Sequence, residues 1–329
     1  MELRKLTAGA PVTVMLGMCK NAGKTTALCR LIREYAQVGN TRVALTSIGR
    51  DGETQDLVTG TDKPPIYLYE GMLAATAEQL LPLCDVSREI LATTGLHTSL
   101  GEVVIFRARS DGFVQLAGPG IVEQLKPLRE QFRAFGADSV LIDGALSRKS
   151  PASGAADGVC VLSTGASLHR DLDHVVAETA FAAKLLSLPQ LPCPGEELGR
   201  VTLFGADGTR RGGASIAELR RGAGENTLLL SGALTQAQAK ALLQDGTKKE
   251  GLTILVRDGS CLMLGRETYL ALAGRGVRFA VLRGTRLAAV TINAVSAGGW
   301  RFDPTEFLEK MSAAVSVPVL DVKACEVSV

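Results

Sequence analysis

The stretch PVTVMLGMCKNAGKTTALCRLI, residues 11–32, constrains this chain more than any other part of it. Pro11 to Leu16 is a short apolar run rich in β-branched residues and reads as a strand. Gly17 to Gly23 is a turn-forming loop. From Lys24 onward, Ala27, Leu28, Leu31, Ile32 and Tyr35 recur at helical spacing on one face. A strand, a glycine-bounded loop and a helix opening on Gly-Lys-Thr together make the context of a phosphate-binding loop. The physical reason lies in the helix start. Its first backbone N–H groups lack intrahelical partners and carry the positive end of the helix dipole. A loop wrapped over that start aims several donors at one anion. On this reading Gly17, Lys20, Asn21, Ala22, Gly23, Lys24, Thr25 and Thr26 form the cradle. Gly23 lets the backbone come close, Lys24 reaches the β- and γ-phosphates, and Thr25 gives its hydroxyl to Mg²⁺.

A second signal lies downstream. Asp138 to Gly144, DSVLIDG, reads as a buried strand ending in an acid. An aspartate at the tip of such a strand, after a phosphate loop, reads as a Walker B acid that orients Mg²⁺ and its waters; this assigns Asp143. Between the two, Arg42 to Ile48 reads as a strand running into the polar loop GRDGETQD. In a parallel α/β sheet such loops face the ligand crevice. Asp51, Glu53 and Asp56 therefore lie either on the nucleotide side or in a solvated acidic turn, with Asp51 nearest the strand end.

These signals predict an α/β chain: a P-loop NTPase-type parallel sheet flanked by helices, with a second, smaller α/β domain. The expected nucleotide-binding domain spans 1–188, with an insertion at about 61–118. Three prolines and a glycine at 189–195 read as a linker. Residues 196–329 read as a C-terminal α/β domain without a catalytic motif. Within the insertion, Val86 to Thr94 reads as a short helix ended by Gly95. Ser110-Asp111-Gly112 between two apolar runs reads as a hairpin turn. Arg107 and Arg109 alternate with apolar residues, and solvating a sheet face accounts for them more simply than a phosphate or partner contact. Ile121, Leu125, Leu128, Phe132 and Phe135 mark an amphipathic helix that Pro127 would kink and Gly136 would end. Arg148 and Lys149 follow Asp143, available to phosphate charge or a second ligand. His169 and His174 begin a helix over about 167–188, out of phase for a shared metal, and read as surface residues.

Composition excludes several classes. With 329 residues, 46% apolar and 21% charged, the chain can bury a full core in one large or two ordinary domains. A net charge of +2 without a long basic run, and 4% aromatics, argue against nucleic acid as the main partner. No apolar stretch reaches bilayer-crossing length, and MELRKLTAGAPV lacks the apolar core of a signal peptide; the expectation is a cytoplasmic protein with no membrane partner. Cys19, Cys29, Cys84, Cys160, Cys193, Cys261 and Cys325 are odd in number and hold no C-x-x-C, which fits a reducing compartment. Cys19 sits where a helix start can acidify a thiol, although a small residue that fits the loop is the simpler account.

The spacing of the loop is unusual. Five residues, not four, separate Gly17 from Gly23, and Met18 stands where the first glycine normally sits. The G-x-x-x-x-x-G-K-T-T form resembles the loop of dethiobiotin synthetases and cobyrinate amidotransferase synthetases. Asp143-Gly144-Ala145 resembles the acidic-Gly-Ala turn of the same enzymes. Lys20 resembles the extra lysine of that broad class but is one residue out of place.

Several phrases taken together, GMCKNAGKTT, LTSIGRDGE, TTGLHTSLGEVVIFRARSDGFVQLAGP and IDGALSRKSPAS, resemble the P-loop subunit of the reactivase for lysine 5,6-aminomutase of bacterial lysine fermentation. They cover about the first half of the chain. The resemblance implies an ATP- and Mg²⁺-dependent helper that acts with a second, MutS-like subunit. Its client would be lysine 5,6-aminomutase or a related adenosylcobalamin aminomutase, in which damaged cobalamin must be exchanged for fresh coenzyme. On this reading Thr25 and Asp143 organise Mg²⁺ and Lys24 neutralises charge in the transition state. Asp51 orients the attacking water or completes the metal shell. The absence of an Asn-Lys-x-Asp motif favours ATP over GTP. Two other classes stay open: a ligase of the dethiobiotin or cobyrinate synthetase type, and a nucleotide-gated cofactor chaperone that does not hydrolyse.

Overall fold

The computed structural model describes residues 1–48, 66–144, 158–216, 225–244 and 250–323. The expected roles of Asp51, Glu53, Asp56, Arg148 and Lys149 lie outside the described residues. The chain divides into two compact units, Met1–Ala180 with Arg286–Val329, and Phe181–Thr285.

The first unit begins with α1 (Leu3–Thr7), β1 (Val12–Gly17), α2 (Lys24–Val38) and β2 (Val43–Ser47). Next come β3 (Ile66–Leu68), β4 (Leu73–Ala77), β5 (Arg88–Thr98), β6 (Gly101–Ala108) and β7 (Gly112–Val114). Then follow α3 (Leu125–Ala134), β8 (Ser139–Asp143), β9 (Val159–Gly165) and α4 (Leu172–Leu186), whose last turns belong to the second unit. The chain returns late to the first unit with β17 (Arg286–Asn293), α7 (Pro304–Ala314) and β18 (Val319–Asp321).

Nine strands form one sheet in the order β18-β17-β9-β1-β8-β2-β4-β6-β5. Neighbours are parallel from β18 to β4, and β6 runs antiparallel to both β4 and β5. The central strands VTVML, VALTS, SVLID and VCVLSTG are buried along their length, as strands covered on both faces must be. Helix α2 buries the face read from its spacing, Ala27, Leu28, Leu31, Ile32 and Tyr35. That face packs into a core with Leu45, Leu141 and Val161. Gly39, at φ +69°, ends the helix and donates its N–H to the Tyr35 carbonyl at 3.1 Å.

Four local expectations differ from the structure. Residues 88–98 form strand β5, not a helix. Gly95 lies at a register shift between Thr93 and His97, and its N–H is taken by the Glu102 carboxylate at 2.7 Å. Ser110-Asp111-Gly112 makes no hairpin: β6 pairs with β4 and β5, and β7 pairs with β3. The Asp111 carboxylate instead accepts the Glu70 N–H at 2.8 Å. Pro127 is the third residue of α3, in the first turn, where a missing N–H costs no intrahelical bond. The fourth concerns the domain boundary. Residues 286–321 belong to the large sheet, not to a domain running from 196 to 329.

The second unit contains β10 (Val201–Gly205), β11 (Arg210–Gly213), β12 (Glu225–Leu230), β13 (Leu234–Thr235) and α5 (Gln236–Gln244). It continues with β14 (Thr253–Val256), β15 (Leu262–Met263), α6 (Arg266–Gly274) and β16 (Arg278–Val281). Its main sheet has the order β11-β10-β12-β14-β16, with β12, β14 and β16 parallel. The proline-rich stretch is not a free linker at its start: Leu191 donates to the Val281 carbonyl at 2.9 Å, and Val281 donates to that of Pro189 at 3.0 Å. No described helix is long and apolar enough to cross a membrane.

Candidate functional site

Parallel register brings the C-terminal ends of β17, β9, β1, β8 and β2 to one edge. Gly17 lies beside Ser163, Met15 beside Asp143, Asp143 beside Ser47, and Gly165 beside Asn293. The glycine loop starts from this edge, with the Met18 N–H on the Ser163 carbonyl at 2.8 Å.

Two left-handed residues shape the loop. Asn21, at φ +59°, is the one non-glycine residue with positive φ among the described residues. Gly23, at φ +89°, stands immediately before α2. A Cβ on Gly23 would lie 3.0 Å from Cβ of Asn293 and 3.6 Å from Cγ2 of Val322. The position therefore needs glycine for conformation and for space. Asn293 is buried at the end of β17, and its Nδ2 donates to the Asn21 carbonyl at 3.4 Å. Its own Oδ1 accepts the Val295 N–H at 3.2 Å. The loop thus rests on a strand more than two hundred residues away in sequence. Sequence reading missed Asn293. Its only signal was a polar residue closing the apolar run LAAVTIN, which says nothing about the loop it supports.

Lys24 opens α2 and turns toward β8. Its Nζ lies 2.6 Å from Asp143 Oδ1 and donates to the Gly144 carbonyl at 2.7 Å. The two side chains are 18% and 5% exposed. A pair so far withdrawn from water is screened little by salt. Gly144 is itself anchored on β1, its N–H donating to the Met15 carbonyl at 3.0 Å. A Cβ on Gly144 would stand 3.1 Å from that same oxygen. The acid strand and the loop lysine, 119 positions apart in sequence, are thereby joined at the tips of adjacent strands.

Gly17, Gly23, Thr25 and Thr26 are half-buried, Ala22 is buried, and Lys20 and Asn21 are exposed. On the far side of Asp143, the Ser47 hydroxyl donates to the Leu116 carbonyl at 3.1 Å and accepts the Gly118 N–H at 3.0 Å. A Cβ on Gly118 would lie 2.1 Å from the Ser47 carbonyl oxygen, so residues 116–118 close tightly over the end of β2. Thr25 and Asp143 offer hard oxygen donors, a set that suits Mg²⁺. Among the described residues no group of three or more His, Cys, Asp or Glu side chains could hold a metal. A magnesium ion shared with phosphate needs only one or two protein carboxylates.

Other candidates resolve differently. Burial pushes the Cys19 thiol up to about 11, so the helix start does not acidify it. Burial likewise pushes Cys29 up to about 11. Arg109 pairs with Glu89, and Arg107 reaches the same carboxylate at 3.9 Å and the Phe135 carbonyl at 3.3 Å, as side chains on a sheet face do. His169 and His174 are exposed, but their rings are 4.3 Å apart. Helical phase does not govern this pair, since His169 precedes α4. Comparison with family models, with curated proteins and with solved structures returned no match.

Proposed function

We propose that the Gly17–Thr26 loop binds the triphosphate of ATP with Mg²⁺ on a P-loop NTPase-type fold. The observation that carries this reading is the convergence of Lys24, from the first turn of α2, on Asp143 at the tip of the adjacent parallel strand. The helix start and the left-handed Gly23 support an anion cradle. The position of Asp143 supports a metal-orienting acid.

In this reading the backbone N–H groups of the loop hold the phosphates, and Lys24 neutralises charge that builds on the γ-phosphate. Thr25 and Asp143 would hold the metal, which would supply neutralisation of phosphate charge. Asp51, outside the described residues, would orient the attacking water or complete the metal shell. We further propose that ATP use is coupled to reactivation of a cobalamin enzyme. The protein would act with a MutS-like second subunit, so that damaged cobalamin leaves lysine 5,6-aminomutase or a related aminomutase and adenosylcobalamin enters. The four sequence phrases quoted above support that step. A nucleotide can drive such an exchange only if the two conformations it links bind it with different affinity.

The test is recovery of inactivated lysine 5,6-aminomutase by this protein, its partner subunit, fresh adenosylcobalamin and Mg-ATP, with Lys24→Ala as control. Recovery that needs both ATP and Lys24 is the expected result. No recovery, with the protein folded and still binding ATP, would overturn the reactivase reading. ATP turnover stimulated by a small carboxylic acid alone would then favour the ligase class.

A further inference from the structure

We propose that the second unit carries a binding site of its own, for a small zwitterion of the amino-acid class. The proposal does not rest on the nucleotide reading. A cleft of about 420 Å³ opens where β12 ends and β10 begins. That volume suits a small molecule, and the carboxyl ends of parallel strands are where open α/β sheets bind ligands. Val201 and Leu230 are paired across β10 and β12, are both 3% exposed, and give the cleft an apolar floor. Arg200, Ser231, Gly232 and Gln238 form its polar wall.

The wall is held by hydrogen bonds. The Ser231 N–H donates to the Arg200 carbonyl at 3.1 Å. The Ser231 hydroxyl lies 2.7 Å from a Glu197 carboxylate oxygen and 2.9 Å from the Gly199 carbonyl. The Leu198 N–H donates to Thr202 Oγ1 at 2.8 Å, which ties the same segment to β10. Gln238 Oε1 accepts the Thr235 N–H at 2.9 Å in a capping box, leaving the amide nitrogen for a ligand. The charges on this frame select the ligand. Arg200 and Glu197 make no ion pair with each other, and Arg200 has no ion-pair partner among the described residues. The neighbouring Glu196 is taken by Arg210 at 3.6 Å. Two opposite charges are thus anchored on Ser231 without neutralising each other. A carboxylate matches the guanidinium fork and gains a further donor from Gln238. An ammonium matches Glu197. A phosphate group would meet one cation and be repelled by the Glu197 carboxylate.

The test is a thermal-shift screen of the full chain against the common L-amino acids. Acetate, ethylamine and inorganic phosphate serve as controls that each lack one end. Calorimetry then measures the amino acid with the largest shift, on wild type, Arg200→Ala and Glu197→Gln, folding being checked by circular dichroism. Both substituted residues are exposed, so the variants should fold. At least one amino acid should bind with millimolar affinity or tighter, and the controls should not. Each variant should weaken it about tenfold or more, the size of a lost hydrogen bond to a charged group. A folded wild type that binds no amino acid overturns the proposal, and so does an affinity unchanged in either variant. Acetate or phosphate bound as tightly as the amino acid would show a simple anion site and overturn the two-charge reading.

Discussion

Both units of the chain carry a parallel strand that leads through a glycine-bearing turn toward a helix, with a buried aspartate at the end of the neighbouring strand. In the first unit these are β1, the loop to Gly23, α2 and Asp143. In the second they are β12, Ser231-Gly232-Ala233, α5 and Asp258. Asp143 and Asp258, 4% and 2% exposed, are the two acidic side chains buried among the described residues. Their partners differ. Asp143 pairs with the lysine of the loop beside it. Asp258 is bound by its own chain: it accepts the Ser260 N–H at 2.9 Å and the Ser260 hydroxyl, and meets Arg257 Nε at 3.3 Å. The helix starts differ in the same way. Lys24 reaches across to a strand tip. Gln236 is taken up by Thr268 at 2.7 Å and by the Gly265 N–H at 2.9 Å. Parallel topology offers a ligand edge in both units. Among the described residues, only in the first does an ion pair join the helix start to the end of the neighbouring strand.

The sharpest break of this comparison is at the two helix starts. Lys24→Ala should weaken ATP at least about a hundredfold, the size of a lost charge-assisted contact of about 3 kcal/mol. It should keep the circular dichroism spectrum while losing stability in urea, because the buried Asp143 loses the Lys24 ammonium. Unchanged ATP affinity would sink the P-loop assignment. The glycines come next. Gly23→Ala, at φ +89° and against Asn293, should cost about 1–3 kcal/mol of stability and weaken tripolyphosphate. Gly232→Ala has open space around it and should stay within about 0.5 kcal/mol of wild type. Equal melting shifts for the two would contradict the packing described. Asp258→Asn should cost about 1 kcal/mol through its weakened cap, with ATP affinity unmoved. A change in nucleotide binding there would show that the second unit serves the site. The smallest effect concerns thiols. At pH 8 the exposed Cys193 should react with iodoacetamide well before Cys19, which burial holds at about 11. Mass spectrometry of early adducts reads the order.

What was legible in the sequence was what local pattern dictates. The buried face of α2 and the strand of Asp143 follow from periodicity and from apolar runs with a polar tip. What was not legible depended on distant pairing. In REILATTGLHT neither period dominates, and β6 beside it decides for strand. Asp111-Gly112 carries the residues of a hairpin turn, but the carboxylate is claimed by Glu70. The prolines at 189–194 look like a boundary and are hydrogen-bonded at their start to β16. The boundary lies instead within α4, whose apolar pattern continues without a break. The support of the loop by Asn293 was beyond any local pattern, because it depends on β17 joining β9 from the far side of an entire inserted unit.

That insertion has a consequence in time. Synthesis proceeds from the N-terminus, and domains form as their residues emerge. The glycine loop, Lys24 and Asp143 are all made before the second unit, yet the strand that holds the loop in place is made after it. A nascent chain halted short of residue 293 would possess the acid and the lysine and still lack the Asn293 side chain under Asn21. The support under the loop is therefore complete only when translation has passed through the whole second unit, and the first motif to be written is among the last to be fully assembled.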